Sequence, residues 1–228
     1  MRTLTPEKIY HGVDPRDLPA YEVREASRYL GVPYHTLYRW IRETPFIAKD
    51  KECRGALIRR PHGSKKMSFM NLVEGHIIKA IHQHHSVPVP EILRAIDYAE
   101  RELGIDRLLV NKKLKVGVRQ LFIEKYGELV SLGRGGQLAM QKILERYLER
   151  IEYNENFPVR FFPIVQESDH KYVSISPTFS FGKPVVAGIR TRVIAERFEL
   201  GEDKNSIAED YGIPEEQVEE AIIYEAAA

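Results

Sequence analysis

The sequence predicts an α+β protein, mainly α with small β elements: an N-terminal winged helix-turn-helix and a C-terminal trihelical, helix-turn-helix-like domain. Three observations carry this. Apolar residues recur at spacings of three and four on both sides of Gly31-Val32-Pro33. The same outline returns around Gly212-Ile213-Pro214. Between the two lie short apolar runs separated by turn residues.

The bounds set by composition agree. At 228 residues the chain holds one large domain or two to three small ones, with 43% hydrophobic and 29% charged residues. No run of eighteen apolar residues is present, so no membrane span is expected. The N-terminal stretch carries Glu7 and no apolar core, unlike a secretory signal. Cys53 is the only cysteine, which excludes an internal disulfide framework and fits a reducing cytoplasm. The formal net charge of +1 conceals a polarity. Residues 21–70 hold eleven Lys/Arg against five Asp/Glu, whereas residues 200–228 hold nine Asp/Glu against one Lys. A phosphate-binding surface requires the first balance, and a polyanion repels the second.

In chain order, residues 1–20 contain Pro6, Gly12, Pro15 and Pro19 with little periodicity and read as an irregular arm. Val23, Ala26 and Leu30 then make one helical stripe, and Val32, Leu37 and Ile41 a second. Gly31 suits the left-handed position that ends a helix, and Pro33 suits the start of the next. The second helix then turns Tyr34, His35, Thr36, Tyr38, Arg39 and Arg42 outward. Hydroxyls, imidazole and guanidinium groups are what a helix needs to read bases and phosphates in a major groove. The bland alternative is a helical hairpin with a solvated face.

Arg54 to Arg60 reads as a short β run, placing Arg54, Arg59, Arg60, Lys65 and Lys66 on a wing within reach of backbone phosphates. Ser68 reads as the cap of a helix to about His85, and Pro90 as the start of another that ends at Gly104. His82, His84 and His85 invite a metal reading, but no cysteine or carboxylate spacing completes a tetrahedral set, so no metal is expected.

Leu108–Val110, Leu114–Val116, Gln120–Ile123 and Leu129–Leu132 read as strands, with a hairpin turn at residues 126–128. Gly133–Gly136 reads as a turn before a helix from Gln137 to about Tyr153. The phosphate-loop Lys-Ser/Thr is absent there, so no nucleotide or other cofactor is expected. Met140, Leu144, Tyr147 and Ile151 form one face of that helix, which serves as core or as a homodimer seam; groove-reading domains of this kind usually act in pairs. Residues 163–171 read as a boundary. The domains expected are thus an arm (1–20), a winged helix-turn-helix (21–103), a strand-rich middle segment with that helix (104–162) and a C-terminal domain (171–228). The last of these ends in three helices, the third facing outward with Glu215, Glu216, Glu219 and Glu220. Four carboxylates disfavour DNA, so this unit is expected to bind protein.

Gly182-Lys183-Pro184-Val185, Gly188 and Arg190, with Gly201, Tyr211-Gly212 and Ala221-Ile-Ile-Tyr224, resemble a small bacterial and archaeal domain first catalogued as of unknown function. That domain is found in VapB-like antitoxins encoded beside PIN-like ribonuclease toxins. Ile189 departs from the threonine that many members carry. Residues 21–103 look like a MerR-type winged helix-turn-helix. The resemblance implies an antitoxin of a type II toxin–antitoxin system, with operator DNA and a PIN-like toxin as partners, that represses its own operon. Because PIN-like nucleases hold a metal in a carboxylate cluster, it also implies Lys183, Arg190 and Arg192 as toxin-binding candidates, the two arginines as inserted cations. An equal alternative is that Arg190 braces its own domain. A MerR-like effector-responsive regulator is the second functional class. An enzyme is the third, without any nucleophile elbow or acid–base pair to support it.

Overall fold

The structure, a computed structural model, describes residues 12–48, 51–84, 88–116, 119–129, 134–164 and 170–227. Pro6, His85 and Gly133 lie outside these, as does much of the 163–171 boundary. Helices dominate, joined by small antiparallel sheets.

Helices α1 (Val23–Leu30) and α2 (Tyr34–Ile41) pack across a tight turn. Gly31 takes φ 57° and ψ 44°, its N–H meeting the Arg28 carbonyl, and Pro33 precedes the first residue of α2. The ammonium of Lys79 caps α1 by donating to the Leu30 carbonyl at 2.9 Å. Strands β1 (Thr44–Ala48) and β2 (Lys51–Gly55) follow as an antiparallel hairpin.

Helix α3 (Phe69–His84) is the central rod, with Phe69, Leu72, Val73, Ile77, Ala80 and Ile81 fully or almost fully buried. Ser68 and Asn71 cap its start reciprocally: Asn71 N–H donates to Ser68 Oγ (3.3 Å) and Ser68 N–H to Asn71 Oδ1 (3.0 Å). Gly75 lets Leu30 close in, since a Cβ there would stand 2.6 Å from Leu30 Cδ1. Helix α4 (Val89–Leu103) ends at Gly104 in the left-handed region and packs against β1.

The strand reading is overturned for residues 107–116 and 119–129; residues 130–132 of the expected Leu129–Leu132 strand lie outside the described ones. Leu108–Val110 is a 3-10 turn, followed by α5 (Lys112–Val116) and α6 (Arg119–Leu129). Leu108, Leu109, Val110, Leu114, Phe122 and Ile123 are all buried. Short runs buried on every side lack the period that separates helix from strand. Residues 126–128 likewise lie inside α6, where Gly127 gives room to Gln137 of α7 (Arg134–Leu148).

Helix α7 stops at Leu148, so Ile151 opens strand β3 (Ile151–Asn154), paired with β4 (Phe157–Phe161). Met140, Leu144 and Tyr147 are buried against this chain's own core, with α7 packed on α3. The seam envisaged for a dimer is therefore spent within one chain. Arg150, just past the end of α7, is 2% exposed and donates to the Pro163 carbonyl at 3.0 Å.

The end of the chain forms a three-stranded antiparallel sheet, β5 (Val173–Ser174), β6 (Val185–Val186) and β7 (Ile189–Arg190), with α8 (Thr191–Glu199), α9 (Lys204–Tyr211) and α10 (Glu215–Ala227). Asp203 caps α9 by accepting from the N–H groups of Asn205 and Ser206, and Gly212 ends it. Glu220, expected outward, is buried against the strand β5, where its carboxylate accepts from the Val173 N–H at 3.4 Å and lies 3.7 Å from His170 Nδ1. Glu215, Glu216 and Glu219 remain exposed.

This segment is docked onto α1. Tyr224 Oη donates to the Tyr29 carbonyl (3.3 Å), Arg28 pairs with Glu225 (3.3 Å) and Lys183 pairs with Glu25. One hydrophobic cluster runs from Tyr21 to Tyr224. Among the described residues, no helix is long and apolar enough to cross a membrane.

Candidate functional site

Helix α2 divides cleanly into two faces. Leu37, Trp40 and Ile41 are buried, while Tyr34, His35, Tyr38 and Arg39 are exposed in two adjacent turns. Tyr34 and Tyr38, four residues apart, stack with ring centroids 6.0 Å apart. The guanidinium of Arg24 on α1 lies 5.9 Å from the Tyr34 ring. Arg42 closes the helix and is exposed. The structure thus places five of the six residues expected outward on one accessible ridge.

Thr36 is the exception, being 9% exposed. It stands four residues before Trp40 and shares that residue's inward side. A threonine fits the edge of the apolar stripe, and composition alone did not distinguish the two faces. Arg24 was missed, although it was one of the eleven cations in the basic stretch; its position on the first helix gave no sign that it meets the second.

The wing forms earlier than the sequence predicts. Of the five expected wing residues only Arg54 sits on the hairpin, in register with Pro45. Ala56-Leu57-Ile58 is apolar because it folds back under α2: Leu57 and Ile58 are buried and the Ile58 N–H donates to the Trp40 carbonyl at 3.0 Å. Arg59, Arg60, Lys65 and Lys66 therefore belong to the loop between the hairpin and α3. Arg60 braces it by donating to the Lys65 carbonyl at 3.0 Å, Arg59 approaches Glu100 at 3.9 Å and Lys66 approaches Glu22 at 3.4 Å. Lys65 is exposed, with no side-chain hydrogen bond or ion pair among the described residues.

The His82 ring packs edge-on to Trp40, with centroids 5.7 Å apart. Burial, and then the Arg39 charge, lower its pKa. Among the described residues no group of His, Cys, Asp or Glu has metal-holding geometry.

A cleft of about 680 Å³ lies between the hairpin, the 56–62 loop and α4, lined by Arg54, Arg59, Arg60, Glu100, Arg107 and Glu74 among others. Burial raises the Glu74 and Glu100 pKa values. Arg107 offsets this at Glu74 (2.9 Å), where Asn71 also donates (2.9 Å), and the Leu108 N–H donates to Glu100 (3.0 Å).

The residues expected to meet a protein partner differ among themselves. Lys183 is turned inward to Glu25. Arg192 is exposed but tied to Glu196 (2.9 Å) and Glu199 (3.5 Å). Arg190 is exposed and donates to the neutral Ser180 Oγ at 2.9 Å.

Three comparisons bear on this architecture. Residues 173–224 match the family model described as "Protein of unknown function (DUF433)". The chain is 28% identical over 225 residues, covering 90% of it and 93% of the relative, to the Mycobacterium tuberculosis (strain ATCC 25618 / H37Rv) protein named "Putative antitoxin VapB45". It shares its fold, at a TM-score of 0.66 and 23% identity, with the crystal structure of Rv2018 from Mycobacterium tuberculosis, over 90% of this chain and 98% of that one. The chain is therefore similar, along nearly its whole length, to a protein named as a VapB antitoxin, and its last quarter carries the DUF433 pattern.

Proposed function

We propose that this chain is the antitoxin of a type II toxin–antitoxin pair, whose front half represses its own operon and whose C-terminal segment binds and neutralises a PIN-like ribonuclease. The observation that carries the DNA half is the ridge of Tyr34, His35, Tyr38 and Arg39 on α2. It is exposed where Leu37 and Trp40 hold the opposite face rigidly in the core. In this reading those four side chains meet base edges, and Arg42, Arg54, Arg59, Arg60, Lys65 and Lys66 meet phosphates. The full-length similarity to a protein named as an antitoxin supports the second half. There the exposed Arg190 and Arg192 face the nuclease, while Lys183 acts indirectly by fastening its segment to α1. Two copies on two half-sites give useful operator affinity.

The experiment is a pair of titrations: of DNA upstream of the gene in a gel shift, and of the neighbouring PIN-like nuclease in an RNA-cleavage assay. Saturable shift and stoichiometric inhibition are expected. Absence of both removes the reading.

The charged cleft beside the hairpin favours a second reading, an effector-responsive regulator of the MerR kind. In that case a small ligand in the cleft would draw Arg54, Arg59 and Arg60 away from DNA. A ligand that raises thermal stability and releases operator DNA would favour it.

A further inference from the structure

The C-terminal segment contains a backbone feature that L-residues avoid. Ser180, Phe181 and Gly182 have φ of 50°, 54° and 74°, one turn of left-handed helix. The Gly182 N–H donates to the Phe179 carbonyl (3.0 Å) and the Lys183 N–H to the Ser180 carbonyl (3.1 Å). Two of the three residues carry a Cβ, so the turn is strained and persists only because its surroundings over-determine it.

Those surroundings are specific. Beneath the turn, Tyr21 occupies the space that a Cβ on Gly182 would fill, its hydroxyl oxygen 2.0 Å from that point. The next residue, Lys183, is pinned to Glu25. Beside it, Arg190 Nε donates to Ser180 Oγ at 2.9 Å.

The strain has a visible product on the outside. Phe181 is 79% exposed and Phe179 is 48% exposed. A phenyl ring that is 79% exposed buries little apolar area within this fold, and exposed large aromatics with a fixed backbone are what protein interfaces use as anchors. The adjacent cation points to the partner's chemistry. Arg192 and Arg197 are each matched by two carboxylates, whereas Arg190 has no carboxylate among the described residues. An unmatched guanidinium beside a bare ring selects a pocket that is apolar at its floor and carries a carboxylate at its rim.

We propose that the left-handed turn Ser180–Gly182 is the docking hot spot for the partner nuclease, with Phe181 entering an apolar pocket and Arg190 meeting a carboxylate at its edge. This rests on the antitoxin reading above and adds the residue that anchors the complex.

The test titrates the purified neighbouring PIN-like nuclease against the full chain and its Phe181→Gly, Phe181→Asn and Arg190→Gln variants by calorimetry, alongside urea melts and sedimentation. Glycine and asparagine tolerate the left-handed region, so both Phe181 variants keep or raise the melting midpoint while losing about 30-fold or more in affinity. Arg190→Gln loses several-fold. Full-strength binding by both Phe181 variants overturns the hot spot and leaves the antitoxin reading standing. A wild-type chain that does not bind the nuclease overturns both. Affinity that falls only in step with the midpoint, or self-association of the free chain that Phe181→Gly abolishes, also overturns it, assigning the ring to the fold or to a second copy.

Discussion

Glu25 and Lys183 lie 158 residues apart in sequence, yet the ammonium of one pairs with the carboxylate of the other across the junction between α1 and the C-terminal segment. The same Glu25 oxygen accepts from the Tyr29 hydroxyl at 2.7 Å. One carboxylate thereby ties α1 to the C-terminal segment.

Glu25→Gln should destabilise the chain by about 0.5–1 kcal/mol, since the pair is partly exposed and salt screens it. Urea melts at low and high salt check this. The difference between wild type and variant should shrink as salt rises; a salt-independent difference would mean that the pair does not act electrostatically.

Gly182→Ala should be far more damaging than Gly63→Ala. Both glycines have positive φ, 74° and 71°, but a Cβ at Gly63 meets nothing within 4 Å, whereas one at Gly182 collides with Tyr21. The backbone cost alone is about 1–2 kcal/mol, and the collision should bring Gly182→Ala to roughly 2–4 kcal/mol. Equal midpoints for the two variants would contradict the close approach of Tyr21.

His76 should make stability depend on pH. Its ring is buried, with Nε2 donating to the Tyr147 carbonyl at 3.1 Å, and burial lowers its pKa from 6.5 to about 3. Between these values the unfolded chain binds a proton that the folded chain does not. The contribution is therefore fully present above about pH 6.5 and is lost as pH falls, by at most about 1.4 kcal/mol per unit. His76→Gln, which cannot titrate, should flatten that slope in melts between pH 4 and 7. Parallel wild-type and variant profiles would show that the imidazole is not buried neutral.

Arg39 and Lys65 should separate base reading from phosphate binding. Arg39→Ala should weaken specific operator binding by about 1–3 kcal/mol, whereas Lys65→Ala should weaken all DNA alike and reduce the salt slope by about one. Gel shifts on operator and random duplex at several salt concentrations distinguish the two. Unchanged operator affinity for Arg39→Ala would remove α2 as the reading helix.

The sequence by itself determined the local grammar of this chain. Gly31, Gly104 and Gly212 end helices, and Pro33 and Pro214 open them. These are short-range steric rules, satisfied within a few residues of the chain. The outward ridge of α2 was legible for the same reason, except for Thr36, whose small size suits either side of a stripe.

Tertiary structure decided what depends on distant surfaces. Leu108, Leu109, Val110, Leu114, Phe122 and Ile123 are buried in helical turns that carry no periodic signature. Ile58 joined the core under Trp40 and left the hairpin, and Arg150 and Glu220 found buried partners that no spacing reveals. The left-handed turn at Phe181 is held by Tyr21 under Gly182 and Arg190 on Ser180, with Glu25 fixing the following Lys183, contacts that come from two distant parts of the chain. Packing energy gathered over such long loops overrides local preference, and a reading limited to neighbours in sequence has no access to it.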